Sequence, residues 1–333
     1  MSTMKAVVMH APGDPSILKI ESRPIPTPKA GEVLIRVKAF GLNRSEMFTR
    51  QGHSPGLQFP RILGIEACGV VAAAPDGKFN EGDVVATAMG GMGRVFDGGY
   101  AEYTCVPAKQ VQVLPVKMKD SGGTLGWETF GAMPEMLQTA YGSLFKALRI
   151  AKSDVLLVRG ATTSVGLAAA SIAKSFSVKK IIGTTRSHGR DEVLKRNGID
   201  EVIIDGGEVE KEIRKLYPEG VDKVLEMIGT TTLLDSLACA KEGGIVCMTG
   251  IVGNKWSFDD FNPMEKIPNA VCLTSYGGGS DDFMETPLAD LAQQAEAGRL
   301  NIEIGRTMHI DDIVEAHKLM ESNKAGGKIV VLT

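Results

Sequence analysis

The chain has 333 residues, of which 43% are hydrophobic and 23% charged, and its formal net charge at pH 7 is -3. This length allows two domains of ordinary size, each with its own core. The slightly negative net charge lacks the basic excess that is typical of nucleic-acid binding. The sequence has no run of about 18 apolar residues that would predict a transmembrane helix.

The five cysteines are scattered and form no Cys-x-x-Cys motif. Four of them lie inside apolar runs such as EACGVV and GGIVCMTG, and the set is interpreted as buried, reduced thiols. The N-terminal sequence MSTMKAVVMH has no charged segment followed by a long apolar core. We therefore expect a cytoplasmic protein.

The first third of the chain, from Lys5 to about Val116, consists of short apolar runs separated by turn residues. The runs include MKAVVMH, VLIRVKAFGL, GVVAAA and DVVATA. Their alternation and their β-branched residues are typical of strands. This part is predicted to be a largely antiparallel β domain.

After Ser121 the hydrophobic period changes. Residues 134–149 carry apolar positions three and four apart, behind a proline that suits the first turn of a helix. Helical segments then alternate with six strand-like segments, which are DVLLVR, KKIIGTT, DEVIID, VDKVLEMIG, GIVCMTG and AVCLTSY. This alternation implies right-handed βαβ units and a parallel sheet of the Rossmann type.

The tail from about Gly278 predicts two helices and two strands, the last strand being GKIVVLT. It is too short to form a domain, so we expect it to pack on the β domain. The predicted fold is α/β, with a β-rich domain formed by residues 1–122 and 277–333. A Rossmann-type, doubly wound parallel sheet is predicted for residues 123–276.

The stretch LLVRGATTSVGLAAASIAK, residues 156–174, combines an apolar strand, a tight turn and a helix of small residues. This geometry holds a pyrophosphate on the amides of a helix N-terminus. The strict GxGxxG spacing is missing, although the small residues still let a phosphate approach the backbone. The alternative is a glycine-containing turn that binds nothing. The candidate cofactor-binding residues here are Gly160, Thr162, Thr163, Ser164, Val165 and Gly166.

The next strand, KKIIGTTRS, ends without the acidic residue that binds the ribose 2′-hydroxyl of NAD. Thr184, Thr185 and Arg186 stand there instead. A carboxylate would repel a 2′-phosphate, whereas an arginine can hold it through paired hydrogen bonds. Thr185 and Arg186 therefore favour NADP(H) over NAD(H). Arg190 and Lys195 either assist or form a solvated helix face.

Several motifs follow one another along the chain, and together they are more specific than any one of them. They are AFGLNRSEMFTRQG, FPRILGIEACGVV, EGDVVA, DGGYAEYTCVP, LQTAYGSL, the Thr-Thr-Ser-Val-Gly turn and AHKLMESNKAGGKIVVL, in that order. On these motifs the chain resembles the medium-chain dehydrogenase/reductase superfamily and, within it, the zinc-free quinone oxidoreductase (zeta-crystallin-like) branch. The resemblance covers essentially the whole length, and it implies a GroES-like catalytic domain for the β-rich part.

The zinc branch of this family has a cysteine at the position matching Asn43, a histidine at Ile65 and a second cysteine at about Glu135. Asparagine is a poor zinc ligand and isoleucine is none, so at most Glu66 and Glu135 remain, short of the three ligands of a catalytic zinc. Residues 89–100 also lack the structural cysteines of the zinc members. We predict no metal, with Glu66 in a structural ion pair or hydrogen bond.

A quinone, or an alkene conjugated to a carbonyl, accepts a hydride without a metal. The resemblance therefore implies an NADPH-dependent reductase of a small apolar electrophile, with Asn43 near the nicotinamide ribose and the substrate. Ser45 matches a hydroxyl that relays protons in zinc relatives, which makes it a candidate proton donor. The alternatives are a turn-capping role for Asn43 and a helix N-cap role for Ser45.

Further cofactor contacts are implied by position in the family. Lys328 is expected toward the pyrophosphate, although it could also be a surface lysine. The last strand of the Rossmann sheet, AVCLTSY, is the expected contact of a homodimer, with Tyr276 at the substrate mouth or at that contact. The other cofactor positions implied by the resemblance are Thr139, Gly229, Thr230, Gly250 and Ile251.

Two other functions stay open. An enoyl or alkenal double-bond reductase on the same scaffold would deliver hydride to the β-carbon while a donor protonates the α-carbon. A zinc-free NADPH-binding protein without a catalytic role is the second, since some zeta-crystallin relatives serve as lens proteins or bind RNA. The lack of a basic stripe argues against RNA.

Overall fold

The structure is a computed structural model that describes residues 2–333. The chain divides into two compact units. The first comprises the chain through Gln138 together with Gly278–Ala297 and Ile304–Thr333. The second comprises Thr139–Gly277 and Gly298–Glu303.

Both units contain strands and helices. The strands are β1 (Thr3–Met9), β2 (Lys19–Pro24), β3 (Glu32–Gly41), β4 (Arg61–Ile62), β5 (Glu66–Ala73), β6 (Val84–Ala88), β7 (Tyr103–Pro107), β8 (Val111–Val113), β9 (Val155–Arg159), β10 (Lys180–Thr185), β11 (Glu201–Ile204), β12 (Val221–Glu226), β13 (Ala240–Met248), β14 (Cys272–Ser275), β15 (Ile304–His309) and β16 (Lys328–Leu332). The α-helices are α1 (Arg44–Arg50), α2 (Trp127–Gly131), α3 (Pro134–Gly142), α4 (Ser164–Ser175), α5 (Asp191–Arg196), α6 (Val209–Leu216), α7 (Thr230–Cys239), α8 (Pro263–Lys266), α9 (Ser280–Glu285), α10 (Leu288–Glu296) and α11 (Ile313–Glu321). Short 3₁₀ turns lie at Pro15–Ile17, Ala108–Gln110, Lys119–Ser121, His188–Arg190 and Ile310–Asp312, and a π-helical turn at Ser143–Ala147.

The first unit is built on a seven-stranded sheet with the order β15-β16-β3-β5-β6-β8, in which β7 also pairs with β3. A second sheet has the order β2-β1-β4. All strand pairs are antiparallel except β15 with β16, as predicted for this part of the chain.

The alternating residues of β3 show why this sheet forms. Val33, Ile35 and Val37 are buried in the core, whereas Arg36 between them is exposed. Side chains at alternate positions of a strand point to opposite faces, so one face of β3 joins the core. The hydrophobic pattern thereby sets the register in which β3 pairs with β5.

The second unit contains a six-stranded sheet with the order β11-β10-β9-β12-β13-β14, and all of its strands are parallel. This is the doubly wound Rossmann order, so the predicted fold is confirmed. Leu157, Ile182, Val224 and Val246 are buried in its centre. The strand order reverses between β9 and β12, and ligands of such sheets bind at the carboxyl ends of the strands at this point.

The structure draws the boundary between the units later than residue 122. Helix α2 packs so closely on the first sheet that a Cβ on Gly131 would lie 2.5 Å from the Cβ of Ala39. The Cys68 thiol also donates a hydrogen bond to the Phe130 carbonyl at 3.2 Å. These tight contacts tie α2 to the β-rich unit, which short-range sequence patterns do not reveal.

A short part of the tail belongs to the second unit. The Asn301 amide donates to the Ser171 hydroxyl at 2.9 Å, and the Arg196 guanidinium donates to Glu303 at 2.7 Å. Gly298–Glu303 is therefore held by α4 and α5, whereas the predicted division assigned it to the β-rich part.

All five cysteines are free thiols. Cys68, Cys239 and Cys247 are buried and Cys105 is half-buried. The prediction of a buried thiol is wrong for Cys272, because β14 is the edge strand of its sheet and leaves this side chain exposed. Among residues 2–333, no helix has the length and apolarity needed to cross a bilayer.

Candidate functional site

A cluster of polar side chains is buried inside the first unit. Lys328 begins β16, Glu66 begins β5 and Asn43 follows the end of β3. Their exposed fractions are 2%, 0% and 7%. Because β3 pairs with both β5 and β16, the sheet brings these three positions together from distant parts of the chain.

The Lys328 ammonium is the centre of this cluster. Its Nζ lies 3.0 Å from Oε1 of Glu66 and 3.6 Å from Oε2 of Glu135, and it donates a hydrogen bond to Oδ1 of Asn43. Burial alone would lower the pKa of Lys328, but the charges of Glu66 and Glu135 outweigh burial and raise it. Lys328 therefore stays an ammonium ion.

Gly41 makes room for the cluster. A Cβ at this position would overlap the Cε of Lys328 and lie 2.5 Å from Oε1 of Glu66. No larger residue fits the end of β3 without displacing the Lys328–Glu66 pair.

The Asn43 amide is fixed on both sides. Its Nδ2 donates to Oε1 of Glu66 at 2.9 Å and to Oε1 of Glu46 at 3.3 Å, while its Oδ1 accepts from Lys328. Asn43 occupies the N-cap position of α1, but its side chain makes no capping hydrogen bond. The turn-capping alternative therefore does not describe the side chain of Asn43.

Glu46 is a member of the cluster that sequence reasoning missed. It is 1% exposed, and its Oε1 accepts from the Ile65 amide at 3.1 Å. Its Oε2 has no hydrogen-bond partner among residues 2–333. Burial raises the pKa of Glu46 to about 7. Its spacing of three residues from Asn43, one helical turn, was the signal that could have identified it.

Ser45 lies at the start of α1, but its hydrogen bonds are made to residues outside the Lys328 cluster. Its hydroxyl accepts a hydrogen bond from the Arg94 guanidinium, and its carbonyl accepts one from the Thr49 hydroxyl at 2.9 Å. The helix begins at Arg44, so Ser45 is not its N-cap and that alternative is wrong. The role of Ser45 as a proton donor stays a prediction.

The donor set of the cluster does not suit zinc. Asn43 offers an amide, Ile65 has no ligand atom, and Glu66 and Glu135 face the Lys328 ammonium. In the part of the chain that the structure describes, no three His, Cys, Asp or Glu side chains are grouped to hold a metal ion. Glu66 makes the structural ion pair that the sequence predicted.

In the second unit, the predicted cofactor turn connects β9 to α4. Gly160 has a φ of 76°, and its amide donates to the Thr184 hydroxyl at 2.9 Å. A Cβ on Gly160 would lie 2.6 Å from Cδ1 of Ile228. The left-handed backbone conformation therefore favours glycine at this position, and a side chain would also have to displace the Ile228 methyl group.

The other end of the turn forms the N-terminus of α4. The Thr163 hydroxyl accepts a hydrogen bond from the Gly166 amide at 3.0 Å and caps the helix. Thr162, Ser164 and Val165 are half-exposed beside it. The first amides of a helix have no partner within the helix and attract anions. The turn therefore fits a dinucleotide pyrophosphate.

Arg186 directly follows β10, the neighbour of β9 in the sheet. Its side chain is exposed, whereas Thr184 and Thr185 are buried. The Thr185 hydroxyl donates to the Ser187 carbonyl at 3.1 Å. An exposed guanidinium at the carboxyl edge of the sheet could bind a 2′-phosphate, and Thr185 shapes the loop that carries it.

The predicted residues after β12 and β13 lie side by side. The Gly229 amide donates to Oε1 of Glu226 at 3.0 Å, and the Gly250 amide donates to the Glu226 carbonyl at 3.1 Å. Ile251 follows as a half-buried residue. The structure thus gathers these turns at the same sheet edge as the Gly160 turn.

Thr230 and Thr139 have different surroundings. Thr230 begins α7 and is 9% exposed, with its hydroxyl donating to the Lys255 carbonyl at 2.7 Å. Thr139 is half-buried in α3, and its carbonyl accepts a hydrogen bond from the Ser143 hydroxyl at 2.7 Å.

Lys328 is buried in the first unit, so the surface-lysine alternative is wrong.

Comparison with known proteins identifies the family. A family model described as zinc-binding dehydrogenase matches residues 197–331, and one described as alcohol dehydrogenase GroES-like domain matches residues 29–117. The quinone oxidoreductase of Homo sapiens is 30% identical over 340 residues, which cover 99% of this chain and 98% of that protein. An acryloyl-coenzyme A reductase of Sulfurisphaera tokodaii is 25% identical over 351 residues, which cover 98% of this chain and 99% of that protein.

The solved structures agree in fold. The crystal structure of Escherichia coli quinone oxidoreductase complexed with NADPH matches with a TM-score of 0.84 over 99% of this chain and all of that chain. Its 20% sequence identity carries no more than the fold. The chain is therefore an oxidoreductase of the medium-chain dehydrogenase/reductase superfamily and belongs to its zinc-free quinone oxidoreductase branch.

Proposed function

We propose that the chain is an NADPH-dependent, zinc-independent reductase that transfers hydride to a quinone or a related conjugated electrophile. The observation that carries this proposal is the buried Lys328 ammonium between Glu66, Glu135 and Asn43. The positions that hold zinc in alcohol-oxidising relatives are given to a lysine-centred hydrogen-bond network. Without a Lewis acid to polarise its oxygen, the preferred substrate is one whose conjugation already accepts a hydride.

The cofactor half of the proposal rests on the second unit. The Gly160 turn and the N-terminus of α4 suit a pyrophosphate, and Arg186 suits a 2′-phosphate. When bound, the nicotinamide supplies the hydride. The chain's own residues hold and orient the dinucleotide. The human relative is named a quinone oxidoreductase, which supports this substrate class.

Asn43 and Ser45 are the proposed catalytic residues of the first unit. Glu66 and Glu46 accept the two amide hydrogens of Asn43, and its carbonyl oxygen, which accepts from Lys328, keeps one lone pair for a further hydrogen bond. We propose that Asn43 contacts the nicotinamide ribose and the substrate, and that the Ser45 hydroxyl supplies a proton to the product. Lys328 supports Asn43 through its hydrogen bond to the amide oxygen, and its contact with the pyrophosphate stays part of the proposal.

The second candidate is a double-bond reductase on the same scaffold. The similarity to a protein named acryloyl-coenzyme A reductase favours it, because that substrate is an alkene conjugated to a thioester. Hydride would then go to the β-carbon and a proton to the α-carbon. The proton donor is essential in this version of the reaction, which gives Ser45 a larger role than in quinone reduction.

We further propose a cytoplasmic homodimer joined through β14. This edge strand leaves Cys272 and Leu273 exposed, and Leu273 is 36% exposed. Unpaired edge strands are ready to pair with another chain. The free cysteines suit a reducing compartment.

The test is NADPH and NADH oxidation with a naphthoquinone, an ortho-quinone, a 2-alkenal, an enoyl thioester and a simple ketone, together with metal analysis. Metal-free protein that oxidises NADPH with a quinone would support the first candidate. Turnover restricted to the alkenal or the thioester would support the second. Stoichiometric zinc, or activity only with the ketone, would overturn both.

A further inference from the structure

Arg159 is a buried arginine at the edge of the predicted cofactor turn. It is the last residue of β9, directly before Gly160, and its side chain is 0% exposed. Arginine is almost never fully buried unless its charge is paired. Neither the sequence patterns nor the family resemblance assigned it a role.

The guanidinium of Arg159 holds two other parts of the second unit. Its Nε and Nη2 donate to the two carboxylate oxygens of Asp205, at 2.5 and 3.0 Å, and Asp205 directly follows β11. Its Nη1 donates to Oδ2 of Asp235 at 2.5 Å and to the Ser236 hydroxyl at 3.4 Å, both on α7. One side chain therefore fixes β9, β11 and α7 relative to each other.

The network continues from Ser236 to the second group of cofactor turns. The Ser236 hydroxyl donates to Oε2 of Glu226, a fully buried residue that ends β12. The other carboxylate oxygen, Oε1, accepts from the amides of Ile228 and Gly229 at 2.6 and 3.0 Å. The Glu226 carbonyl accepts from the Gly250 amide at 3.1 Å. A continuous path of hydrogen bonds thus leads from the Gly160 turn to the Gly229 and Gly250 turns.

The backbone of Gly229 shows what this path holds in place. Its φ of 106° and ψ of -153° lie in a region that essentially only glycine adopts. The carboxylate of Glu226 fixes this conformation by accepting the amide hydrogen. Burial raises the pKa of Glu226, while the donors Ser236, Gly229 and Ile228 act in the opposite direction. Loss of one donor would therefore weaken the hold of Glu226 on this turn.

We propose that Arg159 is a positioning residue for dinucleotide binding, acting through Ser236 and Glu226 to hold the Gly160, Gly229 and Gly250 turns in one geometry. The inference rests on the proposed function in that it takes these turns as the cofactor site. It assigns a role to three buried side chains that need not touch the cofactor. Preformed turns reduce the ordering cost of binding, so the network raises affinity for the dinucleotide.

The first test compares Ser236→Ala with the control Ser171→Ala. Each variant removes a buried serine hydroxyl of the second unit, and within residues 2–333 the Ser171 hydroxyl accepts a hydrogen bond from the Asn301 amide, away from the Arg159 network. Ser236→Ala should raise the Kd for NADPH about three- to tenfold, with kcat at saturating NADPH within about twofold of wild type. Ser171→Ala should leave the Kd for NADPH within about twofold of wild type. Both serine variants should lower Tm, and by similar amounts, because each removes one buried hydrogen-bonding hydroxyl.

The second test uses Arg159→Met and Arg159→Lys, measured by NADPH fluorescence titration of the full chain. Arg159→Met leaves Asp205 and Asp235 without their cation, and we expect the larger increase in Kd. Arg159→Lys keeps the charge without the fork, so it should recover part of the affinity. If Arg159→Met does not fold, the two serine variants still decide.

The outcomes distinguish a failure of the positioning role of Arg159 from a failure of the proposed NADPH-dependent function. Equal Kd values for Ser236→Ala and Ser171→Ala would overturn the positioning role while wild type still binds NADPH. A loss of kcat with an unchanged Kd in Ser236→Ala would overturn it as well. Wild-type protein that binds neither NADPH nor NADH would overturn the proposed function itself, and the inference with it.

Discussion

The ammonium of Lys328 lies 3.0 Å from Oε1 of Glu66, and the two side chains are 2% and 0% exposed. Each charge is out of water, so each depends on the other for compensation. Asn43 bonds to both groups, which couples its orientation to the ion pair. The pair is therefore a structural feature that acts on the proposed active-site residue.

Lys328→Met should lower the free energy of unfolding by about 3–5 kcal/mol, because it leaves the carboxylate of Glu66 buried without a cation. The double variant Lys328→Met/Glu66→Gln should recover a large part of this loss, since no uncompensated charge remains at Glu66. Urea denaturation of both single variants and the double variant gives the coupling energy. Additive effects would show that the two groups do not depend on each other.

The exposed pair of Lys5 and Asp311 is the control for this prediction. Its Nζ to Oδ1 distance is 2.7 Å, but the side chains are 34% and 53% exposed. Lys5→Met should cost less than about 1 kcal/mol, because water already solvates both charges. An equal cost at Lys5 and Lys328 would contradict the role given to burial.

Glu46→Gln should stabilise the protein increasingly as the pH rises. Burial raises the pKa of Glu46 to about 7, from an ordinary value of 4.5. The contribution of the neutral carboxyl to stability is fully present below about pH 4.5 and is lost as the pH rises through about 7. Glutamine mimics the neutral form at every pH. The stability of the variant relative to wild type should therefore rise by up to about 1.4 kcal/mol per pH unit across this window.

Chemical denaturation of the two proteins at several pH values measures this difference. A constant difference between wild type and Glu46→Gln from about pH 4 to 8 would contradict the raised pKa. If Glu46 also affects Asn43 during turnover, kcat should show the same pH dependence in wild type and lose it in the variant.

The parts of the fold that the sequence predicted are those written in local patterns. The six apolar segments predicted the parallel sheet, and the glycines at 160 and 166 predicted the turn, because strand period and glycine conformation depend on near neighbours. Asn43 and Lys328 were identified only by their positions in family motifs. Their contact with each other could not be predicted from spacing, since the two residues are 285 positions apart in the chain.

The residues that were missed are buried charges. Charged residues such as Glu46 and Arg159 are usually exposed, so the sequence alone predicts both side chains at the surface. Their burial depends on tertiary packing that no local pattern describes. The partners of Arg159 are separated from it by other strands and helices. The same limit explains the boundary of the first unit, where close packing of Gly131 on Ala39 decides where α2 belongs.

His317 should make the protein lose stability as the pH falls. It lies between Arg50, whose Nε donates to Nδ1 at 3.3 Å, and the Tyr100 hydroxyl, 3.2 Å from Nε2. Burial, and secondarily the charge of Arg50, lower its pKa to about 3 from an ordinary 6.5. The neutral ring thus contributes fully above about pH 6.5, and this contribution is lost as the pH falls toward about 3.

His317→Gln tests this expectation, because glutamine keeps hydrogen-bonding groups but does not titrate. Relative to the variant, wild type should lose up to about 1.4 kcal/mol per pH unit below about pH 6.5. Urea denaturation from about pH 4 to 8 provides the measurement. A pH-independent difference between the two proteins would mean that His317 takes up protons as readily in the folded protein as in the unfolded chain.

Arg186→Ala should weaken NADPH without affecting NADH. The exposed guanidinium at the end of β10 is the proposed partner of the 2′-phosphate, which NADH lacks. Losing its charge-assisted hydrogen bonds should raise the KM for NADPH about ten- to a hundredfold. Arg299→Ala removes another exposed arginine of the second unit and should change neither KM. Steady-state kinetics with both cofactors and one quinone measure the split. Equal losses for NADPH and NADH would rule out a 2′-phosphate contact, and a wild-type preference for NADH would overturn the assignment of NADP(H) itself.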